Sequence, residues 1–199
     1  MHERPRHGRI AGVVVPLALA LAVVSAACGS GKAVARGPTR PASAWSGQDA
    51  TLFDDGLDVG ALAPPGTTTT AEEDSETAIT NRTYAADGVV LAKVIGVSSE
   101  PVGDKNRYRL ELTIEGDALA GAKPESPFTL KVGAGTPSYG TVRSQDAQLI
   151  GKKFVVFYRR YADEEGADEP ITHFHLSGNN ERVLGVIRAA MTRKKVEGG

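Results

Sequence analysis

The part of this chain from about residue 75 onward reads as a mainly β, α+β domain, on three observations. Residues 107–115 alternate polar and apolar with a two-residue period. Residues 89–97 and 153–161 are dense in branched and aromatic side chains. Val183, Val186, Ile187, Ala190 and Met191 then recur at helical spacing near the end of the chain. Period two is the mark of a half-buried strand, and the 3.6-residue stripe that of a helix laid on a core.

Taken in order, Ser75–Tyr84 is a short helix or an entering strand, with Thr80, Thr83 and Tyr84 favouring the strand. Val89–Val97, apolar on both faces and bounded by Asp87-Gly88 and by Ser98-Ser99-Glu100-Pro101, is expected to be a long central strand. The turn cluster Val102-Gly103-Asp104-Lys105-Asn106 leads into a strand with Tyr108, Leu110, Leu112 and Ile114 inward. Its other face, Arg107, Arg109, Glu111, Thr113 and Glu115, reads as solvated. Residues 116–127 form a loop. Phe128–Val132 is a short strand with Phe128, Leu130 and Val132 inward, and Ser144–Ile150 is a helical turn ending at Gly151. Lys153–Tyr161 and Ile171–Leu176 pair across the acidic loop 163–169. Asn179 or Asn180 caps a helix from Glu181 to about Lys195, whose end carries Arg193, Lys194 and Lys195. Five or six mostly antiparallel strands joined by hairpins, with a C-terminal helix, suit a small antiparallel OB-like β-barrel or a curled sheet.

Few residues offer chemistry. Gly133-Ala134-Gly135-Thr136-Pro137-Ser138-Tyr139-Gly140 is glycine-rich, but no Gly-Lys-Ser/Thr follows it, so it is read as a flexible loop without nucleotide binding. His173 and His175, the only histidines after residue 7, share one face of their strand. With a third ligand from loop 163–169 they would make a metal site. The competing reading is an exposed face, with Thr172, Phe174 and Leu176 inward. The serines lack a nucleophile-elbow context, and no cofactor is expected.

The chain before residue 75 is different. Residues 28–74 are rich in Gly, Ala, Pro, Ser and Thr, a composition that buries too little apolar surface to offset chain entropy, so a disordered tether is expected. Trp45, Leu52 and Phe53 stand out within it, either as scattered hydrophobes or as a segment that docks on the domain or a partner. Ahead of the tether lies the order of a secretory signal: Arg4, Arg6 and Arg9 against Glu3, then the apolar run Ile10–Ala27, then the polar break Gly29-Ser30-Gly31-Lys32. The run is near the lower limit of a membrane span and contains Pro16. Without this leader the chain keeps a small acidic excess, so no nucleic-acid partner is expected. Cys28 is the only cysteine, which rules out a disulfide or a Cys-based metal site inside the domain.

Val24-Ser25-Ala26-Ala27-Cys28 resembles the lipobox of bacterial lipoproteins. That resemblance implies removal of residues 1–27 as a signal peptide, a diacylglyceryl group on the Cys28 sulfur and acylation of the new amino terminus, hence a membrane anchor in the cell envelope. More than one acyl chain is what makes such attachment firm. Ser25 departs from the family pattern, which has a branched apolar residue there, and leaves ordinary signal cleavage as the alternative. In the domain, Asp87–Val94, Tyr108–Leu112, Gly151–Phe157 and the final helix together resemble netrin-like and TIMP-like modules, without their disulfides. From these readings the chain is expected to be a lipid-anchored envelope protein with a non-catalytic domain that binds an envelope protein or polymer. The alternatives are a metal-binding protein or metal-dependent hydrolase using His173 and His175, and an inhibitor or accessory subunit by the netrin-like analogy.

Overall fold

The computed structural model describes residues 44–63, 75–162 and 170–197; the leader, Cys28 and the acidic loop 163–169 lie outside them. The described chain runs α1 (Gln48–Leu52), β1 (Gly56–Leu57), a 3-10 turn (Val59–Leu62), α2 (Glu76–Ala85), β2 (Gly88–Val102), β3 (Lys105–Gly121), β4 (Phe128–Val132), α3 (Tyr139–Leu149), β5 (Lys153–Tyr161), β6 (Ile171–Gly178) and α4 (Glu181–Glu197). This is the mainly β, α+β architecture with a C-terminal helix that the sequence implied. Of the two sheet forms, the curled open sheet is the one observed: six strands in the order β1-β6-β5-β2-β3-β4, not closed into a barrel. β4 nevertheless comes back within 8 Å of β6 between Cα atoms. Two bulges in β2, between Val89 and Leu91 and between Val94 and Gly96, bend the sheet toward that approach.

Both faces of the sheet are covered. The inner face gathers Val90, Ala92 and Val94 of β2, Leu110 and Leu112 of β3, Leu130 and Val132 of β4, and Phe174 and Leu176 of β6 around Val142 and Leu149 of α3. The opposite face gathers Val89, Val155, Phe157 and Tyr161 under Ile79 of α2 and Val183 and Ile187 of α4. The cap of α4 is Asn180, whose Oδ1 accepts from Val183 N–H at 2.9 Å. Among the described residues no helix is long and apolar enough to cross a membrane.

Two sequence readings are corrected, and a third, left between helix and strand, is decided. Residues 116–121 continue β3 and are not a loop. Residues 76–85 form a helix: Ser75 caps it at Ala78 N–H, 3.1 Å, and Ile79 is fully buried beneath it, so tertiary packing overrides the weak strand preference of its threonines. The second correction concerns the tether. Within residues 28–74, the stretch 44–63 is a folded strap, because Leu52, Phe53, Leu57 and Leu62 are all buried. It docks on the domain itself. It also supplies β1, which pairs parallel to β6 with Gly56 opposite His175 and Leu57 opposite Leu176, and so makes the sheet mixed.

Candidate functional site

The strap crosses the outer edge of β6, placing Leu52 and Phe53 on one face of the sheet and Leu57 and Leu62 on the other. Asp55 N–H donates to the Phe174 carbonyl at 2.9 Å, and Asp58 N–H to the Leu176 carbonyl at 2.8 Å. The even-numbered residues of β6 therefore present their backbone groups to this edge. At the crossing two carboxylates meet two imidazoles. His173 Nδ1 lies 2.8 Å from Asp55 Oδ2, and His175 Nδ1 lies 2.8 Å from Asp54 Oδ1. The other Asp55 oxygen accepts from Phe174 N–H at 3.0 Å, and Asp54 Oδ1 also accepts from Gly56 N–H at 2.9 Å. Asp55 holds φ +54°, a left-handed conformation that an aspartate tolerates better than most side chains. The Ser138 hydroxyl donates to the Asp55 carbonyl and ties the loop before α3 to the same point.

Aromatic groups close over the pair. Trp45 stacks on His173 with ring centroids 3.9 Å apart and 2° between planes, and its Nε1–H donates to the Phe53 carbonyl at 2.9 Å. Tyr161 meets the same imidazole edge-on at 5.6 Å. Arg159, ion-paired to Asp49 at 3.0 Å, lies over the Tyr161 ring, and Arg82 Nε donates to the Leu52 carbonyl at 2.8 Å.

The two carboxylates respond differently to this setting. Burial pushes Asp54 upward, but the hydrogen bond and charge of His175, the Gly56 N–H and the Arg82 guanidinium together outweigh it and hold this carboxyl below its ordinary 3.8. For Asp55 burial prevails over His173 and the Phe174 N–H, and the neighbouring Asp54 charge adds to it, so its pKa is raised. A carboxylate at Nδ1 orients each imidazole and leaves its Nε2 as the other functional nitrogen.

His173 is also on the wall of a cleft of about 520 Å³. This cleft follows the seam where β4 and β6 approach without pairing. Arg107, Lys131, Gly133 and Thr136 line one side, Ile171, Thr172 and His173 the other, with Trp45 and Asp55 between. His175 lies deeper, 6 % exposed, beneath the strap.

The exposed-face reading of the two histidines is therefore corrected: the strap covers them. Their inner neighbours Phe174 and Leu176 are buried as expected. The two imidazoles each face a separate carboxylate, and among the described residues no group of three or more His, Cys, Asp or Glu side chains is placed to hold a metal ion. The third ligand proposed from loop 163–169, and Cys28, lie outside the described residues. Sequence reasoning missed Asp54, Asp55, Arg107 and Lys131 as site residues, and gave Trp45 no site role. The signal available for the first two was Phe53-Asp54-Asp55-Gly56-Leu57, an apolar–acidic–glycine cluster unlike the Pro/Thr-rich sequence around it. Compared with family models, curated proteins and solved structures, the chain matches none of them.

Proposed function

We propose that this protein is a bacterial envelope lipoprotein, anchored through acylated Cys28, whose folded domain is a non-catalytic binding module that engages an envelope protein or polymer at the seam cleft. The observation that carries the binding reading is the cleft itself: a concave seam of about 520 Å³, a size in the usual range of ligand sites, with a mainly apolar lining and a few charged and polar side chains, Arg107, Lys131 and His173 among them. The adjacent His–Asp pairs favour binding over catalysis by comparison with each other. Both have the same Nδ1–carboxylate geometry at 2.8 Å, yet His175 is buried away from the cleft. A pair built twice, once where no substrate reaches, is accounted for by holding the strap to β6. The anchor reading rests on the lipobox-like Val24–Cys28 and the apolar run before it.

The test uses the full chain expressed in a bacterial envelope. Intact-mass measurement on membrane-extracted protein should show a chain beginning at Cys28 and carrying acyl groups, and Cys28→Ser should release it from the membrane fraction. A photo-crosslinking side chain at Thr172 should capture a specific partner that the same group at Val196, 77 % exposed and on the far helix, does not. An unacylated mature chain sinks the anchor. Equal capture at both positions, or capture at neither, sinks the binding reading.

A further inference from the structure

We infer that the seam cleft is an anion site, built to take a carboxylate or phosphate group of the ligand. This rests on the cleft being the binding surface, as proposed above, and adds the chemistry of what it binds.

The charge balance of the walls carries the inference. Arg107 and Arg109 lie two apart on β3, and Lys131 of β4 sits opposite Arg109, so the three cations share the outer face of the sheet. One carboxylate serves them. Glu100 pairs closely with Arg109 at 2.8 Å and loosely with Arg107 at 3.6 Å, which leaves most of the Arg107 fork available. Among the described residues Lys131 has no ion-pair partner, and both Arg107 and Lys131 line the cleft. Asp55, the acidic side chain among the described lining residues, pairs with neither cation. One of its oxygens is held by His173 Nδ1, the other accepts from the Phe174 N–H, and the residue is 5 % exposed.

The opposite wall adds to the same chemistry. On this wall the His173 ring, held at Nδ1 by Asp55, lines the cleft. Phe174 and Leu176 turn their backbone groups outward to the strap, so strand alternation aims the Thr172 backbone outward too, toward the seam that it lines. A cation pair on one side, and an imidazole with a backbone edge on the other, match a multidentate oxyanion. Trp45 beside them offers an apolar edge to the body that carries it.

Trp45 is the only tryptophan of the chain and stands in the cleft wall, so its emission reports occupancy. The full chain, in detergent micelles, is titrated with inorganic phosphate and separately with sodium glucuronate at constant ionic strength. Isothermal calorimetry runs alongside as an independent readout. A saturable change with at least one anion is expected. Arg107→Ala combined with Lys131→Ala should weaken it by about tenfold or more, the loss of charge-assisted hydrogen bonds. Lys195→Ala, on the last turn of α4, should leave it unchanged. A response to phosphate alone assigns a phosphate-bearing ligand, and a response to glucuronate alone a carboxylate. No saturable response to either anion overturns the inference, as does a response that the double variant retains in full. If Thr172 still captures its partner in that case, the binding reading stands and the anion chemistry falls.

Discussion

Asp55 shows how much one side chain can hold at a strap crossing. Its backbone N–H donates to β6, one carboxylate oxygen accepts from β6, the other binds His173, and its carbonyl accepts from Ser138. All of this is done from a left-handed backbone conformation. Asp55→Ala removes two hydrogen bonds to a carboxylate, leaves the buried Phe174 N–H unpaired and keeps the strained backbone, so a loss of about 3 kcal/mol is expected. Asp55→Asn preserves the shape, the tolerance of positive φ and an acceptor for Phe174, and should cost about 1 kcal/mol. Urea unfolding of the two variants checks the difference; equal losses would mean that the carboxylate network contributes nothing beyond packing. At Gly56 a Cβ would run into the Asp54 carboxylate, so the glycine is what allows Asp54 to turn back onto its own backbone and reach His175.

At the level of elements the strap behaves as part of the core. Phe53 is fully buried among Tyr161 and the apolar side chains of α2, β5 and α4, whereas Val59 of the 3-10 turn is 47 % exposed. Phe53→Ala should therefore destabilise the domain by about 3–5 kcal/mol. Val59→Ala should stay within about 0.5 kcal/mol. Thermal or urea midpoints decide it, and a Phe53→Ala variant as stable as the parent would mean that the strap is only loosely applied. Strand legibility follows the same logic. β4 and β5 have the bounds that the sequence suggested, because each is a compact run of branched and aromatic residues whose two faces meet different surroundings. α2 was legible only as one of two alternatives, a short helix or an entering strand, since what stabilises it is Ile79 packed into the second core and Arg82 bound to the strap, neither visible in local propensity.

For the molecule as a whole, the strap junction sets an expected dependence of stability on pH with two opposing parts. Asp54 has a lowered folded pKa, so its contribution is complete above 3.8 and is lost as pH falls through the folded value. Asp55 has a raised one, so its contribution is complete below 3.8 and is lost as pH rises through its higher folded value. Asp54→Asn should flatten the acid side of the stability profile. Asp55→Asn should flatten the decline just above 3.8, whatever its effect on absolute stability. Urea midpoints measured across the carboxylate range test both slopes, and profiles parallel to the parent's would rule out these groups as the source.

What could be read along the chain was whatever depends on near neighbours: the period-two strand at Tyr108–Ile114, the β-rich runs that became β4 and β5, and the α4 stripe with an asparagine cap at 179 or 180. The site was not readable in that way. Asp54 and Asp55 find their imidazoles 121 and 118 residues further on, and Arg107 and Lys131 reach the wall opposite His173 only because bulges in β2 curl the sheet until β4 nears β6. Composition marked residues 44–63 as unable to bury enough surface for themselves. The sheet edge supplies the missing partner surface, and with it the reason that a stretch without local structural preference folds.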